Sequence, residues 1–133
     1  MFELKKKFKI SAAHRLDNSE MNKDVNKKWF GKCNIMHGHN YYITLILRSQ
    51  TEHLGPTGMI MNFDQVKDLY RKWIDEVYDH QILNDCPGFE NKIVSAENMA
   101  FVFYKILRPH IKELYAVEVE ETEGASATYY RSE

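Results

Sequence analysis

The tripeptide His37-Gly38-His39 constrains this chain more than any other feature. It runs straight into Asn40-Tyr41-Tyr42-Ile43-Thr44-Leu45-Ile46-Leu47-Arg48, a stretch dense in aromatic and branched residues that reads as a well-buried strand. On a strand, residues i and i+2 point to one face, so both imidazoles aim at a common point. Gly38 between them leaves the opposite face bare and lets a ligand or another backbone approach. Two same-face histidines are two of the three protein ligands of an open zinc site, and the fold must bring up the third. His14, in Ser11-Ala12-Ala13-His14-Arg15-Leu16, is the candidate. Phe2, Leu4, Phe8 and Ile10 mark residues 2–13 as another strand with one buried face. A His-x-His pair is often no more than two half-exposed strand residues. Cys33 just upstream and His14 on a second strand favour the metal reading. A zinc finger does not fit, because Cys86 has no closely spaced partner.

A chain of 133 residues is expected to be one domain, since two halves would be too small for good cores. Its formal charge of −1 gives no field to attract nucleic acid, and Lys27-Lys28 with the N-terminal lysines make no basic excess. Two distant cysteines are no disulfide framework. Lys5-Lys6-Lys7 is followed by no apolar stretch of leader type, and no run approaches membrane-spanning length. A soluble cytoplasmic protein without a membrane partner is the expectation.

Further along, Asp17 to Lys28 is polar and is expected to be a loop, and Thr51 to Thr57 with Gly55-Pro56 a turn. Asn62 reads as an N-cap with Gln65 as its capping-box partner. Phe63, Val66, Tyr70, Trp73 and Val77 then recur at helical spacing. Asp85-Cys86-Pro87-Gly88 breaks the chain. A second helix is expected from the cap Ser95 through Met99, Val102, Phe103 and Ile106 to about Leu107 or Arg108, before Pro109. Ala116 to Glu121 and Ala127 to Tyr130, turning at Gly124, form a hairpin. Four strands and two helices in this order predict an α+β fold, an antiparallel sheet with both helices on one face. Many residues of the other face look apolar or aromatic, which calls for a partner, most simply further copies of this chain.

Other residues carry chemistry only in context. Asp79-His80 is either a helix-terminal capping histidine or a carboxylate–imidazole pair for proton transfer. Cys33 is either a small buried apolar residue or a nucleophile or base, and its distance from a metal decides. Glu120-Glu121-Thr122 is a solvated strand edge, or it buries one carboxylate suited to the amidine-like edge of a pterin or guanine. His53, His110 and Cys86 read as surface or packing residues, and Trp29-Phe30 as core or pocket wall.

Taken together, several separated motifs give the chain a family resemblance over nearly its whole length. They are Ser11 to Leu16, Gly31-Lys32-Cys33 with His37 to Tyr41, and Gly58-Met59-Ile60-Met61-Asn62-Phe63. Asp79-His80 with Leu83-Asn84, Ser95-Ala96-Glu97-Asn98 and Glu121-Thr122 follow in order. The chain resembles the tetrahydropterin synthases, which comprise 6-pyruvoyltetrahydropterin synthase and the 6-carboxytetrahydropterin synthase of the queuosine pathway. The resemblance implies a tunnelling fold whose sheets close into a trimeric barrel, two trimers making a homohexamer with active sites between subunits. It also implies Zn2+ held by His14, His37 and His39, with Cys33 as general base, Asp79 and His80 as proton relay and Glu121 as pterin anchor. Residues of the segment from Ser95 to Glu97 would help hold the pterin, and 7,8-dihydroneopterin triphosphate would be the substrate.

Within that family, three features resemble the queuosine branch. These are the three-residue gap between Cys33 and His37, the run Leu83 to Asn91, and the ending Tyr130-Arg131-Ser132-Glu133. Asn62 and the length of the segment from Lys92 to Ala96 resemble the pyruvoyl branch, and Ala96 replaces a hydroxyl residue. The balance favours a lyase releasing acetaldehyde and triphosphate and leaving a 6-carboxytetrahydropterin. The rival of another class is a silent zinc-binding assembly module, against which the joint presence of Cys33, Asp79, His80 and Glu121 weighs.

Overall fold

The computed structural model describes residues 1–132. Four antiparallel strands lie in chain order: β1 (Phe2–His14), β2 (His37–Ser49), β3 (Leu114–Thr122) and β4 (Ala125–Tyr130). β1 and β2 pair without interruption from Phe2–Ser49 to His14–His37. That register puts Phe8, Ile10 and Ala12 on the same face as Tyr41, Ile43, Leu45 and Leu47, and β3 adds Val117 and Val119. Most of these side chains are fully buried. The sheet was legible because aromatic and branched residues alternate along it.

Two helices cover this face. In α2 (Phe63–Tyr70) the ring of Tyr70 stacks on Phe8 of β1, with centroids 3.9 Å apart. The helix α3 (Ala96–Leu107) packs over β3 and β4, with Tyr104 and Phe101 against Tyr129. Both N-caps fall where expected. Ser95 Oγ accepts from the Asn98 N–H at 3.2 Å, and Asn62 Oδ1 accepts from the Asp64 N–H at 2.8 Å, one residue short of the expected Gln65.

The helical path from α2 continues through a π-helical segment, Arg71–Asp75, and a last α turn, Glu76–Tyr78. Buried residues recur there every four positions, at Val66, Tyr70, Ile74 and Tyr78. In a regular α-helix a four-residue step turns the face by about 40° too far, and the wider π turn absorbs that drift. The expected face is corrected accordingly. Phe63 is exposed, Trp73 and Val77 are half-buried, and Ile74 and Tyr78 take the core positions.

The segment expected as a loop from Asp17 to Lys28 contains a short helix, α1 (Lys23–Phe30). No apolar stripe announces it, because it is held by polar bonds around Asn26. That buried amide accepts from the Asn18 N–H at 2.8 Å and donates to the carbonyls of Asn18, Met21 and Asn22.

The uncovered sheet face is more polar than expected. Its cross-strand rows read Lys7–Thr44–Glu118 and Lys9–Tyr42–Glu120. Thr44 and Ile46 are nonetheless only 7% exposed. Among the described residues no helix is long and apolar enough to cross a membrane. Glu133, the last residue of the C-terminal run singled out in the sequence, lies outside the described residues.

Gly88 has φ +92°, and a Cβ there would sit 2.8 Å from Val102 Cγ1, whereas Gly55 at φ +76° has open space around it. Gly88→Ala should therefore cost about 2–4 kcal/mol and Gly55→Ala about 1 kcal/mol, read from urea denaturation midpoints. Equal losses would show that Val102 yields without strain.

Candidate metal centre and its surroundings

Pairing of β1 with β2 builds the centre. His14 lies opposite His37 in the final pair, and His39 lies opposite the small Ala12. All three imidazoles project from the helix-covered face at one end of the sheet. His14 is fully buried, and His37 and His39 are half-buried. One ring nitrogen from each falls within 4.8 Å of the others.

Backbone carbonyls set the protons on two of the rings. His14 Nδ1 is 2.8 Å from the Val94 carbonyl oxygen, and His37 Nδ1 is 2.6 Å from that of Ile35. A carbonyl only accepts, so both Nδ1 atoms donate and both Nε2 atoms carry lone pairs when the rings are neutral. These two Nε2 atoms face each other at 3.0 Å. His39 Nε2 is buried without a hydrogen-bond partner. Glu121 adds a carboxylate oxygen 3.3 Å from His14 Nε2 and 3.8 Å from His39 Nε2. So much electron density converging on one point is stable only around a cation or added protons.

Burial decides against added protons. Desolvation pushes the pKa of His14 below the ordinary histidine value, and its imidazole neighbours push the same way against the Val94 carbonyl and Glu121. Desolvation likewise lowers His39 against the pull of Glu121. Neutral imidazoles beside a carboxylate are a donor set for a divalent transition-metal ion. The residues present therefore fit a metal.

Glu121 is neither a solvated edge nor isolated from the imidazoles. A register shift between Glu120 and Thr122 falls at this residue, half-buried beside the imidazoles. Beneath them lies Tyr41, fully buried, its ring edge-on to His14 and His39 at centroid distances of 5.5 and 5.4 Å.

Asp79 and His80 do face each other, although sequence neighbours seldom do. His80 takes φ +60°, which turns its ring back so that Nδ1 lies 2.7 Å from Asp79 Oδ2. The other carboxylate oxygen accepts from the Ser11 N–H at 2.8 Å, and the His80 N–H donates to the Ser11 carbonyl at 2.6 Å. Burial pushes the Asp79 carboxyl up, but the bonds from Ser11 and His80 outweigh it and leave its pKa below the usual value. With Gly38, His39 and Asn40, His80 lines a cavity of about 490 Å³. Of the Asp79–His80 pair, His80 is the member that lines this cavity.

Other expected residues lie apart from the cluster. Cys33 is exposed on a 3-10 turn, Gly31–Asn34, and is not among the atoms grouped with the imidazoles. Ser95 serves as the cap of α3, next to the Val94 carbonyl that holds His14, and Glu97 is exposed in the first turn. Cys86 is buried, as expected of a packing residue, and His110 stacks on Trp73 at 4.0 Å. Trp29 is 57% exposed and Phe30 half-buried, so the pair is not core. The participants that residue types did not reveal are main-chain groups, the carbonyls of Ile35 and Val94 and the amide of Ser11. All three lie in stretches the sequence marks, but no side chain there announces the bond.

The depressed His14 and His39 pKa values predict how the metal-free protein responds to acid. The unfolded chain takes up protons at about pH 6.5 while these folded rings resist, so stability is complete above that value and falls as the pH drops below it. Urea midpoints at about pH 7.5 and 5.5 should differ more for the wild type than for His39→Gln. An equal difference would mean that the ring is not held neutral.

Comparison with known proteins accords with this geometry. Residues 3–132 match the family model described as 6-pyruvoyl tetrahydropterin synthase. A Dictyostelium discoideum protein named 6-pyruvoyl tetrahydrobiopterin synthase is 31% identical over 122 residues, covering 90% of this chain and 89% of that protein. A Synechocystis protein named 6-carboxy-5,6,7,8-tetrahydropterin synthase is 30% identical over 132 residues, covering 98% and 94%. The structure of Caenorhabditis elegans 6-pyruvoyl tetrahydropterin synthase superimposes with a TM-score of 0.90 at 32% identity, over 98% of this chain and 96% of that one. The chain belongs to the 6-pyruvoyl tetrahydropterin synthase family.

Proposed function

We propose that the protein is a zinc-dependent lyase that converts 7,8-dihydroneopterin triphosphate to 6-carboxy-5,6,7,8-tetrahydropterin, with loss of acetaldehyde and triphosphate. The observation that carries the metal-dependent reading is the meeting of the His14 and His37 Nε2 lone pairs at 3.0 Å, beside an unpartnered His39 Nε2. Bound zinc would supply Lewis acidity, lowering the pKa of the side-chain hydroxyls it contacts and of the adjoining C–H bonds. His14, His37 and His39 would hold it. Asp79 holds His80 through Nδ1, which leaves Nε2 to pass a proton in the cavity that His80 lines. Cys33 would act as the base that removes and returns protons at the side-chain carbons. Glu121 would bind the amidine-like edge of the pterin, with Ser95 and Glu97 assisting at the start of α3.

Exposure of Cys33 and of the His80 ring supports a site completed by another subunit. We therefore extend the proposal to a cytoplasmic homohexamer, a dimer of trimers whose sheets close into barrels, with neither nucleic acid nor membrane as partner. The three-residue spacing from Cys33 to His37 favours the carboxy product. A second reading, the pyruvoyl product, is favoured by the relatives that carry that name, the Dictyostelium discoideum protein among them.

Incubation with dihydroneopterin triphosphate followed by mass spectrometry separates the readings. Acetaldehyde with a carboxypterin supports the first, a pyruvoyl product the second, and no turnover by zinc-loaded protein would leave only a silent assembly module. Metal analysis should find about one zinc per chain, lost in His37→Ala. Cys33→Ala should lower kcat by about a hundredfold or more while zinc content and pterin binding stay unchanged. Full activity in that variant would remove the assignment of Cys33 as base.

A further inference from the structure

We propose that the end of the sheet remote from the imidazoles is a binding site for a small polyanion of the phosphate class. A cavity of about 380 Å³ there is lined by Arg48, Arg108, Lys112, Arg131 and His53. These residues arrive from separate parts of the chain: the end of β2, the residues after α3, the chain after β4 and the loop past β2. Their convergence is a product of the fold and not of a local basic run.

Two features describe how this positive charge is held. Arg48 lies 3.7 Å from the Tyr115 ring centroid and Arg131 lies 5.7 Å from the same centroid, so two guanidiniums share one aromatic ring. Cation–π attraction to Tyr115 thus holds both side chains at this end of the sheet. Second, Arg48 pairs with Glu3 at 2.7 Å, but Arg108, Lys112 and Arg131 have no ion pair among the described residues. Arg108 and Arg131 are also half-buried, where an uncompensated charge costs more than on the surface. Glu113 is the acidic group lining the cavity. This accumulation stands out in a chain whose net charge is −1.

Arginine forks with a lysine around one cavity of mixed polar and apolar lining match the oxygens of phosphate groups, and the volume admits more than one such group. Along β2, Arg48 is nine residues from His39, about 30 Å at the rise of a strand. A ligand in this cavity therefore cannot touch the imidazoles of its own chain. The phosphate can belong to a free polyphosphate or to the tail of a larger molecule held by another copy.

The probe is inorganic tripolyphosphate, titrated calorimetrically into the zinc-loaded protein. Binding is expected at one per chain, weakening as salt rises, and about tenfold or more weaker in the variant Arg108→Gln/Arg131→Gln. No binding, or equal binding by the variant, overturns the proposal. A change in assembly mass for the variant by light scattering also overturns it, since the cluster would then be a protein contact. Unaltered zinc content in the variant shows that the fold survives. These binding arms do not depend on the catalytic reading. Where turnover is measurable, an unchanged KM identifies a free polyphosphate as the ligand. A KM raised severalfold at constant kcat identifies the tail of a substrate bound by another copy.

Discussion

Everything in this molecule hangs on the register of β1 against β2. The pairing holds from end to end, and its last step sets His14 across from His37. Side chains alternate faces along a strand, so a slip of one residue would move His14 to the uncovered side and expose Ile10 with it. The same alignment that buries the core assembles the imidazoles. Stability and chemistry thus share one constraint, and the dense apolar face from Tyr41 to Leu47 enforces it.

The centre is arranged for charge that the chain itself does not provide. Donation of both Nδ1 protons to carbonyls leaves nitrogen lone pairs meeting a carboxylate in a partly buried corner. A cation would relieve electrostatic strain of this kind. At the far end of the sheet the imbalance has the opposite sign. There, cations gather around a cavity with few acidic groups to answer them. One sheet thus separates an electron-rich pole from an electron-poor one.

The fold was largely legible because its strands alternate and its two long helices are capped by Asn62 and Ser95. What escaped was structure built from backbone or amide bonds. The helix α1 is organised by Asn26, whose polarity reads as loop, and the π segment adjusts a four-residue spacing that residue types alone do not resolve. At the site, the three histidines could be read because a strand's geometry is fixed by its period. The coupling of Asp79 to His80 was open as one of two alternatives, because it needs the left-handed turn at His80 that residue types do not announce. The greater polarity of the uncovered face was also hidden, since it depends on which residues of β1 and β3 flank β2.

Main-chain orientation of His14 and His37 has an evolutionary corollary. Because a carbonyl belongs to every residue type, Ile35 can change identity without disturbing the ring it holds, and Val94 is limited by packing alone. Length is another matter. An insertion or deletion between Cys33 and His37 would displace the Ile35 carbonyl and oblige the loop to find His37 a new acceptor. The centre is robust to point mutation at these two positions and brittle to changes in chain length. Divergence among such proteins would then show as discrete loop lengths before this histidine rather than as gradual drift.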